Sequence, residues 1–313
     1  MVMQAFAEKI VEIYNESISE YIDMTDCPIF HYTSPSGANG IISNHTLRFT
    51  DRNYLNDFTE GRYVMQLCLQ SRCQVLLPKE YRKFFIDKCA EVYSNPGSKK
   101  RLVYQCSFST ADDNLALWNY YTKGEGIKGY NLRFSAKELA DTLETRNAKN
   151  VHRTYVACGK VIYNSKKQKE IIKKIILQFA EAIIQSGADS INAQIAIEFL
   201  IEKLLYIGSF FKPLCFSHEE EYRLIIKPFP AYNKDEKRIE FINLGKTAST
   251  YEKNGLLIPY VDIEFPKGAL KSITASPTLN FEEVEANLKN AMRIYGYPYE
   301  KIKITPSKIP VRY

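Results

Sequence analysis

The chain has 313 residues, of which 45% are hydrophobic and 25% charged, and its formal net charge is +6 at pH 7. This composition is ordinary for a folded globular protein, and the length allows one large domain or two small ones. The positive excess is small, whereas a dedicated nucleic-acid binder usually has a stronger, clustered one. Obligate DNA binding is therefore disfavoured, although an RNA or phosphate-rich substrate is not excluded.

The cysteines indicate a reducing compartment. The seven cysteines are scattered and include no CxxC pair, so neither a zinc ribbon nor a thioredoxin-type site is expected. The sequence contains no signal-peptide pattern, which predicts reduced thiols in a cytoplasmic protein. The apolar run 171–184 is interrupted by Lys173, Lys174 and Glu181, so we expect no membrane span.

Helices and short strands are predicted throughout the first half of the chain. Apolar side chains at helical spacing indicate the helices, and alternating or β-branched and aromatic side chains indicate the strands. In chain order, these elements are a helix over 3–22, strands over 29–33 and 47–50 with a turn at 34–37 between them, helices over 58–68 and from Pro78 to the break at Asn95-Pro96-Gly97, a strand over 102–108, a short helix over 113–121 and a strand over 130–134. Ser135 and Glu138 then form a capping box, which predicts another helix.

The second half predicts a helical pair inside a mainly extended region. Its elements are a strand over 151–163, helices over 168–186 and 190–207, strands over 221–226, 257–265 and 270–275, a helix over 280–294 and a strand over 301–305. The order is neither a strict βαβ alternation nor strands alone, so we predict the α+β class. We expect a single domain spanning 1–313, with a helical subdomain or insertion at about 165–210.

The common catalytic signatures are missing from the sequence. It contains no P-loop, GxGxxG, HExxH or GxSxG motif, which disfavours most nucleotide-phosphate, Rossmann, zincin and α/β-hydrolase functions. Four polar clusters remain, each at the end of a predicted strand.

The first two clusters lie at 31–34 and 51–60. His31 ends a strand beside a glycine-containing turn, where an imidazole can donate to a ribose hydroxyl or act as a base. The alternative is a structural histidine bonded to the backbone. The polar and aromatic residues of 51–60 can line a pocket, but Asn56-Asp57 is also an expected helix cap.

The third cluster joins Ser107 and Ser109 to the aromatic side chains of the following helix. Trp118 and Tyr121 are three residues apart, which places them on one helical face. Such a pair can sandwich a planar ring, for example a nicotinamide or a base. Core packing is the equally favoured alternative.

The fourth cluster is acidic and occupies 216–223. In extended geometry Glu219 and Glu221 point to the same side, and two carboxylates beside a cleft suit the cleavage of a glycosidic bond. The alternative is an exposed acidic strand start with Arg223 paired nearby.

These motifs, in this order, resemble a widespread bacterial domain family of unknown function. The resemblance covers nearly the whole chain, and it rests on His31-Tyr32-Thr33-Ser34, Leu47-Arg48-Phe49, Asn56-Asp57 with Glu60, Cys106-Ser107-Phe108-Ser109, Trp118 with Tyr121, Gly129, Glu219-x-Glu221-Tyr222-Arg223 and Ser307-Lys308-Ile309-Pro310-Val311-Arg312.

The layout is also similar to that of ADP-ribosyltransferases, which implies a mixed, mainly antiparallel sheet of that type and NAD as the substrate, with no metal. In that layout a first strand supplies His or Arg, a second a Ser-x-Ser element, and a later strand the catalytic Glu. The implied roles are NAD ribose binding by His31 with Tyr32 and Thr33, shaping of the nicotinamide site by Ser107 and Ser109, ring stacking by Trp118 or Tyr121, further NAD contact by Arg223, catalysis by Glu221 and orientation of the acceptor by Glu219.

Three hypotheses of function follow. The first is an NAD-consuming transferase or glycohydrolase whose acceptor is a protein, a nucleic acid or water; bacterial enzymes of this type often act as toxins or in phage defence. The second is a catalytically silent module that binds a nucleotide or nucleic acid. The third is a metal-dependent nuclease that uses Glu219, Glu221 and Asp57. The first hypothesis predicts that His31, Ser109 and Glu221 lie together around one cleft.

Overall fold

The computed structural model describes residues 2–55, 59–95, 103–122, 126–148, 155–228, 230–233, 238–241 and 244–311. Across these ranges, no helix is long and apolar enough to cross a membrane. The chain divides into two compact units, each built from three segments. Unit 1 comprises Met1–Asp23, Arg52–Leu102 and Val161–Ser217, and unit 2 comprises Met24–Asp51, Val103–Lys160 and His218–Tyr313. The single domain expected from the sequence stays a prediction.

The helices and strands are numbered in chain order. The described α-helices are α1 (Val2–Asn15), α2 (Pro35–Asn44), α3 (Tyr63–Gln70), α4 (Arg82–Ser94), α5 (Leu115–Tyr121), α6 (Ala136–Ala148), α7 (Ser165–Ser186), α8 (Ser190–Gly208) and α9 (Phe281–Ile294). The described strands are β1 (Pro28–Thr33), β2 (Thr46–Asp51), β3 (Tyr104–Ser109), β4 (Tyr130–Ser135), β5 (Tyr155–Lys160), β6 (Glu221–Lys227), β7 (Pro230–Asn233), β8 (Arg238–Phe241), β9 (Lys246–Thr247), β10 (Ser249–Lys253), β11 (Leu256–Glu264), β12 (Leu270–Ala275) and β13 (Lys303–Pro306).

Unit 1 is helical in its described parts, and α7 and α8 form its centre. Asn164 caps α7 by accepting from the backbone of Lys166 and Lys167, and Asp189 caps α8 by accepting from the Asn192 N–H. Gly187, at φ 59°, ends α7 in the left-handed conformation that glycine adopts without strain. The predicted pair of adjacent helices is therefore confirmed, with ends set by side-chain caps.

Unit 2 contains the large sheet. Its strands follow the order β10-β11-β2-β3-β1-β4-β12-β13, and β6 and β5 extend it from β3. Neighbouring strands are antiparallel apart from β12 and β13, which are parallel. The α+β class and the mixed, mainly antiparallel sheet are thus confirmed. Strands β7, β8 and β9 form a second, small sheet that the sequence did not predict.

The large sheet forks at β3. Strand β6 pairs with β3 along its whole length, from Tyr104 to Ser109. On the other edge, β2 pairs with β3 at Tyr104 and Gln105, while β1 pairs with it at Ser109. Strands β1 and β2 therefore share one edge of β3 but meet it at opposite ends.

The turn predicted at 34–37 is wrong, because these residues begin helix α2. Ser34 is the N-cap, its Oγ accepts from the Gly37 N–H at 3.1 Å, and Pro35 occupies the first turn. A Cβ at 37 would collide with the Thr33 hydroxyl, so any larger residue there would require the Thr33 side chain to rotate. The Ser-Pro-Ser-Gly sequence thus starts a helix, in the position where proline lacks only an N–H that would be unpaired.

Other differences from the predicted elements concern the residues at which helices begin and end. The first helix ends at Asn15 and is followed by a 3₁₀ turn over Ile18–Glu20. Helix α4 begins at Arg82 after a 3₁₀ turn over Lys79–Tyr81. The predicted capping box is confirmed for its serine half, because the Glu138 N–H donates to the Ser135 Oγ at 3.3 Å, whereas the Glu138 carboxylate accepts from Lys271 Nζ at 2.6 Å.

Candidate functional site

The third and fourth polar clusters meet on one face of the sheet. In the β3–β6 pair, Ser109 lies opposite Glu221 and Ser107 lies opposite Arg223. Directly opposed residues of an antiparallel pair share a face, and side chains two residues apart in a strand do too. These four residues, together with Gln105, therefore lie on one face, which we call the acid–serine face.

Glu221 and Arg223 form an ion pair on the acid–serine face. Arg223 Nε donates to Glu221 Oε1 at 2.9 Å and Arg223 Nη2 donates to Oε2 at 2.8 Å. The two side chains are only 5% and 2% exposed. A bidentate geometry orients the carboxylate plane firmly, and burial makes each charge depend on its partner. The alternative drawn from the sequence was an exposed acidic strand start with Arg223 paired nearby. The pairing with Arg223 is observed, but both side chains are buried.

Ser109 connects the end of β3 to the turn before β6. Its Oγ donates to the Glu219 carbonyl at 2.7 Å and accepts from the Ala111 N–H at 3.0 Å. The Thr110 N–H donates to the Glu220 carbonyl at 2.8 Å. The Ser109 hydroxyl is therefore engaged with backbone groups.

The extended geometry predicted for Glu219 is wrong. Glu219 ends a 3₁₀ turn over Leu214–Glu219, and Glu220 follows with φ 42°. A left-handed residue between the two breaks the strand alternation, so Glu219 and Glu221 do not share a face by strand periodicity. Non-glycine residues in this conformation are strained and concentrate at functional sites.

Gln105 was missed from the sequence, although strand alternation from Ser107 points to it. Its Nε2 donates to the Ser107 Oγ at 3.2 Å. Its Oε1 is buried and, among the described residues, has no hydrogen-bond partner. Ser107 itself is half-buried. Ser107 is thus the partly exposed hydrogen-bonding group of β3 on this face, and Gln105, which is 2% exposed, supports its hydroxyl from within.

His31 lies on the other face of the sheet. Its neighbour Phe30 pairs with Ser109, so His31, one residue on, points away from the acid–serine face. Its ring lies 5.4 Å from that of Phe108, which also alternates away from Ser107 and Ser109. The structure therefore brings Ser109 and Glu221 together but does not bring His31 to them.

The His31 imidazole is bound to the backbone at the sheet fork. Its Nδ1 lies 3.0 Å from the Ser107 carbonyl oxygen, which requires Nδ1 to carry the hydrogen. Burial lowers the pKa of His31, and the Ser107 carbonyl opposes this in part. A neutral imidazole that satisfies a backbone carbonyl is the structural alternative named from the sequence.

Tyr32 and Trp118 belong to a core cluster. Their rings meet edge to face at 4.9 Å, and Trp118 is fully buried with Leu117, Phe30 and Ile127. The Tyr32 hydroxyl donates to the Ala111 carbonyl at 3.0 Å and accepts from the Asn114 N–H at 2.9 Å. Core packing, not an open stacking surface, is thus the observed environment of Trp118. Thr33, next to this cluster, is half-buried at the end of β1.

Asp113 fastens this cluster to the closing segment, and the sequence did not predict this role. Its carboxylate accepts from Trp118 Nε1 at 2.8 Å, from the Ser307 Oγ at 2.6 Å and from the Lys308 N–H at 2.6 Å. Asp113 also has φ 49°, a conformation that aspartate tolerates better than most residues. The middle and closing motifs of the resemblance therefore meet at one carboxylate.

Exposed aromatic rings lie beside the start of β6. Tyr120 and Tyr121, at the end of α5, are 54% and 38% exposed. The Tyr120 ring lies 5.5 Å from that of His218, which directly precedes Glu219. We call Tyr120, Tyr121 and His218 the aromatic rim. Tyr121 was predicted as a stacking residue, whereas Tyr120 and His218 were not.

Some predicted residues lie outside the described part of the chain. They are residues 56–58 of the second cluster, Pro96-Gly97 of the predicted helix break, Leu102 and residues 151–154 at the starts of two predicted strands, and Arg312 of the closing motif. In the described ranges, no three His, Cys, Asp or Glu side chains are grouped so that they could hold a metal ion.

The fold and this site define an α+β protein with a buried acid–arginine pair and an aromatic rim where β3 ends and β6 begins. A family model described as "Protein of unknown function (DUF2971)" matches residues 117–224. The match runs from α5 into β6 and includes Trp118, Glu219, Glu221 and Arg223. It supports the predicted resemblance to a domain family of unknown function. No curated protein and no solved structure matches the chain.

Proposed function

We propose that unit 2 binds NAD at the aromatic rim and cleaves its bond between ribose and nicotinamide, with water, a protein or a nucleic acid as the acceptor. The proposal takes its chemistry from the similarity to the ADP-ribosyltransferase layout. The observation that carries it is the β3–β6 register, which sets Ser109 against Glu221, three residues after His218, whose ring lies 5.5 Å from that of Tyr120. A carboxylate beside stacking side chains is what the cleavage of this bond requires.

The residues have distinct roles in the proposed reaction. Tyr120 or Tyr121 stacks on the nicotinamide ring, and Ser107, held by Gln105, hydrogen-bonds the sugar. When the glycosidic bond breaks, its electron pair leaves with nicotinamide and the ribose carbon becomes electron-poor. The Glu221 carboxylate, oriented by Arg223, stabilises that carbon, while Glu219 orients the acceptor, whose oxygen or nitrogen forms the new bond and loses a proton. His31 has no role in this reaction beyond supporting the fork.

Nicotinamide release tests the proposal. Purified protein is mixed with NAD and the free nicotinamide is separated and quantified. We expect release that falls by about 100-fold or more in Glu221→Gln, since removal of one charge-stabilising group costs about this much. The variant is assayed where circular dichroism shows it to be folded. Glu220→Gln, which changes an exposed neighbour, is the matched control and should keep the activity of the unchanged protein. If the folded, unchanged protein releases no nicotinamide, the proposal is wrong.

A second candidate function is nucleotide binding without turnover, and one observation favours it. Both Glu221 oxygens accept hydrogen bonds from Arg223, so the carboxylate is already partly neutralised before any substrate arrives. A binding module has no need of a reactive carboxylate.

Thermal-shift measurements with NAD and other nucleotides separate the two candidates. Both predict stabilisation, because a ligand that binds the folded state raises its free energy of unfolding, but only the first predicts nicotinamide release. Tyr120→Ala should weaken the shift. Tyr93→Ala removes a tyrosine of unit 1 that is 38% exposed, and it should leave the shift unchanged. A shift that is equal in both variants contradicts binding at the aromatic rim.

A further inference from the structure

Unit 1 holds three buried cysteines on three consecutive elements. Cys68 is on α3, Cys73 begins the 3₁₀ turn over Cys73–Leu76, and Cys89 is on α4. Each is at most 2% exposed. None of the seven cysteines is in a disulfide in the structure, so these three are available for chemistry that the proposed NAD site does not use.

Cys73 lies against Cys68. In its thiol form, Cys73 donates from Sγ to the Cys68 carbonyl oxygen at 3.4 Å. This contact holds the Cys73 sulfur beside the residue with which it would form a disulfide, and the thiols of Cys73 and Cys89 both raise the pKa of Cys68.

The surroundings make Cys73 the more acidic member. The hydrogen bond from Cys68 lowers the pKa of the Cys73 thiol; burial opposes this, and the Ser71 hydroxyl, the Cys73 N–H and the Lys173 charge lower it further. The pKa of Cys68 is raised, through its hydrogen bonds to Cys73 and Cys89 and through burial. Because a thiolate is the nucleophile and a thiol is not, Cys73 is suited to attack and Cys68 to follow.

We propose that Cys73 and Cys68 form a peroxide-reactive pair, in which Cys73 is oxidised first and Cys68 then closes a disulfide with it. The Cys73 thiolate attacks one peroxide oxygen, the O–O bond breaks, and the departing oxygen takes up a proton as water or an alcohol. The Cys68 sulfur then attacks the Cys73 sulfur, and the oxygen on Cys73 leaves as water with the Cys68 proton. Overall, two thiols are oxidised to one disulfide and one hydroperoxide is reduced.

Cys73 is 2% exposed, so the proposed reaction requires local opening of the turn that carries it. Arg72 precedes it with φ 53°, and the turn is closed by single backbone hydrogen bonds such as Leu77 N–H to the Gln74 carbonyl at 3.1 Å. Val75, within the turn, is 57% exposed. Short surface turns open with a low free energy compared with core helices.

Two other buried cysteines provide an internal comparison. Cys106 lies in β3, where burial raises its pKa, and Cys158 lies in β5; both are buried. Neither adjoins a second cysteine in its strand sequence. If burial alone governed oxidation, these thiols and the Cys68–Cys73 pair would react alike.

Trypsin separates the three cysteines of the cluster onto three peptides. Cleavage after Arg62, Arg72, Lys79 and Lys88 leaves Cys68 in 63–72, Cys73 in 73–79 and Cys89 in the peptide that begins at 89. The folded full chain is treated with hydrogen peroxide, the remaining thiols are alkylated, and the digest is analysed by mass spectrometry without reduction. We expect a 63–72/73–79 crosslink to form at least about 10-fold faster than any oxidation of Cys106 or Cys158, the difference expected of an activated thiolate over buried thiols.

Variants assign the order of events. Cys68→Ser should let a sulfenic-acid trap label Cys73, whereas Cys73→Ser should leave Cys68 unlabelled. Cys89→Ser should still form the crosslink, which makes it the matched control. The proposal is overturned if the unchanged protein forms no 63–72/73–79 crosslink, if Cys68 joins Cys89 instead, or if Cys106 is oxidised at the same rate. The mapping of the unchanged protein remains decisive if a variant fails to fold.

Discussion

The buried ion pair of Glu221 and Arg223 is the single-residue feature with the largest expected effect on stability. Glu221→Gln leaves the Arg223 guanidinium buried without its counter-charge. Removal of one partner of a buried pair typically costs about 3–5 kcal/mol, so we expect the free energy of unfolding to fall by about that amount. Urea denaturation measures it directly.

A double variant serves as the control for this effect. Glu221→Gln combined with Arg223→Met removes both charges and keeps most of the side-chain volume. Since a buried pair replaced by uncharged groups of similar size is often nearly neutral, much of the lost stability should return. A loss below about 1 kcal/mol in the single variant, the range of exposed pairs, contradicts the buried geometry.

His31 should make the protein less stable as the pH falls. Burial places its pKa below the ordinary value of 6.5, so near this pH the unfolded chain binds more protons than the folded one. The free energy of unfolding then decreases as the pH falls through 6.5 towards the folded pKa. His31→Gln keeps an N–H for the Ser107 carbonyl but does not titrate.

The measurement compares the two proteins by urea denaturation at pH 7.5 and pH 5.5, values on either side of about 6.5. The unchanged protein should lose more stability across this interval than His31→Gln. His45, whose pKa is also lowered by burial, titrates in both proteins and cancels in the comparison. Equal losses would show that His31 is not buried in its neutral form.

The sequence predicts which candidate site residues share a face of their own strand, but it does not predict which faces of neighbouring strands coincide. Alternation predicts that His31 and Tyr32 leave β1 on opposite sides, and that Ser107 and Ser109 leave β3 on one side. Which side of β1 meets Ser109 depends on the Phe30–Ser109 pairing. That register joins residues far apart in the chain, so no local pattern contains it.

At the scale of elements, Asp113 joins α5 to the segment after β13. Asp113→Ala leaves the buried Trp118 Nε1 without its acceptor and removes the contacts with Ser307 and Lys308. Hydrogen bonds to a charged group contribute about 1.5–3 kcal/mol each, while alanine is also less suited to the positive φ. We expect a loss of about 3 kcal/mol by thermal or urea unfolding.

Asp113→Asn is the matched variant, because asparagine accepts at one oxygen and tolerates the same backbone conformation. It should keep part of the stability that alanine loses. The amide hydrogen-exchange rate of residues 307–311 should rise more in Asp113→Ala than in Asp113→Asn, because the alanine variant removes the hydrogen bonds from Ser307 and Lys308. Unchanged exchange there contradicts the role assigned to Asp113.

The elements that the sequence predicted well are those with local signals. Apolar periodicity located α7, α8 and α9, although the Asn164 cap starts α7 three residues before the predicted 168. Helix α2 was missed because Gly37 and Gly40 lower helix propensity, and the reason for Gly37 is a close approach to Thr33 that only the fold supplies. Strand β10 lacks a buried face, so it has no apolar alternation to detect.

At the scale of the whole chain, the two units are interleaved in sequence. The chain passes between them at 23–24, 51–52, 102–103, 160–161 and 217–218. The family match at 117–224 includes Val161–Ser217 of unit 1 as well as parts of unit 2. Sequence composition contains no linker at these crossings, which explains why a single domain was predicted.

Truncation tests whether unit 1 folds alone. Residues 1–217 contain every segment of unit 1 but lack β6 and all later strands of unit 2. Unit 1 has its own fully buried apolar side chains, including Ile175, Phe179 and Leu200. The unit 2 segments 24–51 and 103–160 would become loops, and loop closure costs little more as loops lengthen. We therefore expect helical circular dichroism from this fragment, with slow hydrogen exchange in α7 and α8.

The fragment 1–160 is the control, because it lacks α7 and α8 and leaves the apolar faces of α1, α3 and α4 without the helices they pack against. It should be largely unfolded, since short isolated helices are marginal in water. If 1–217 is as disordered as 1–160, unit 1 requires unit 2 to fold and the single domain predicted from the sequence is supported. If 1–217 is folded, the oxidation of Cys68 and Cys73 can be measured in a fragment that lacks β6 and therefore lacks Glu221.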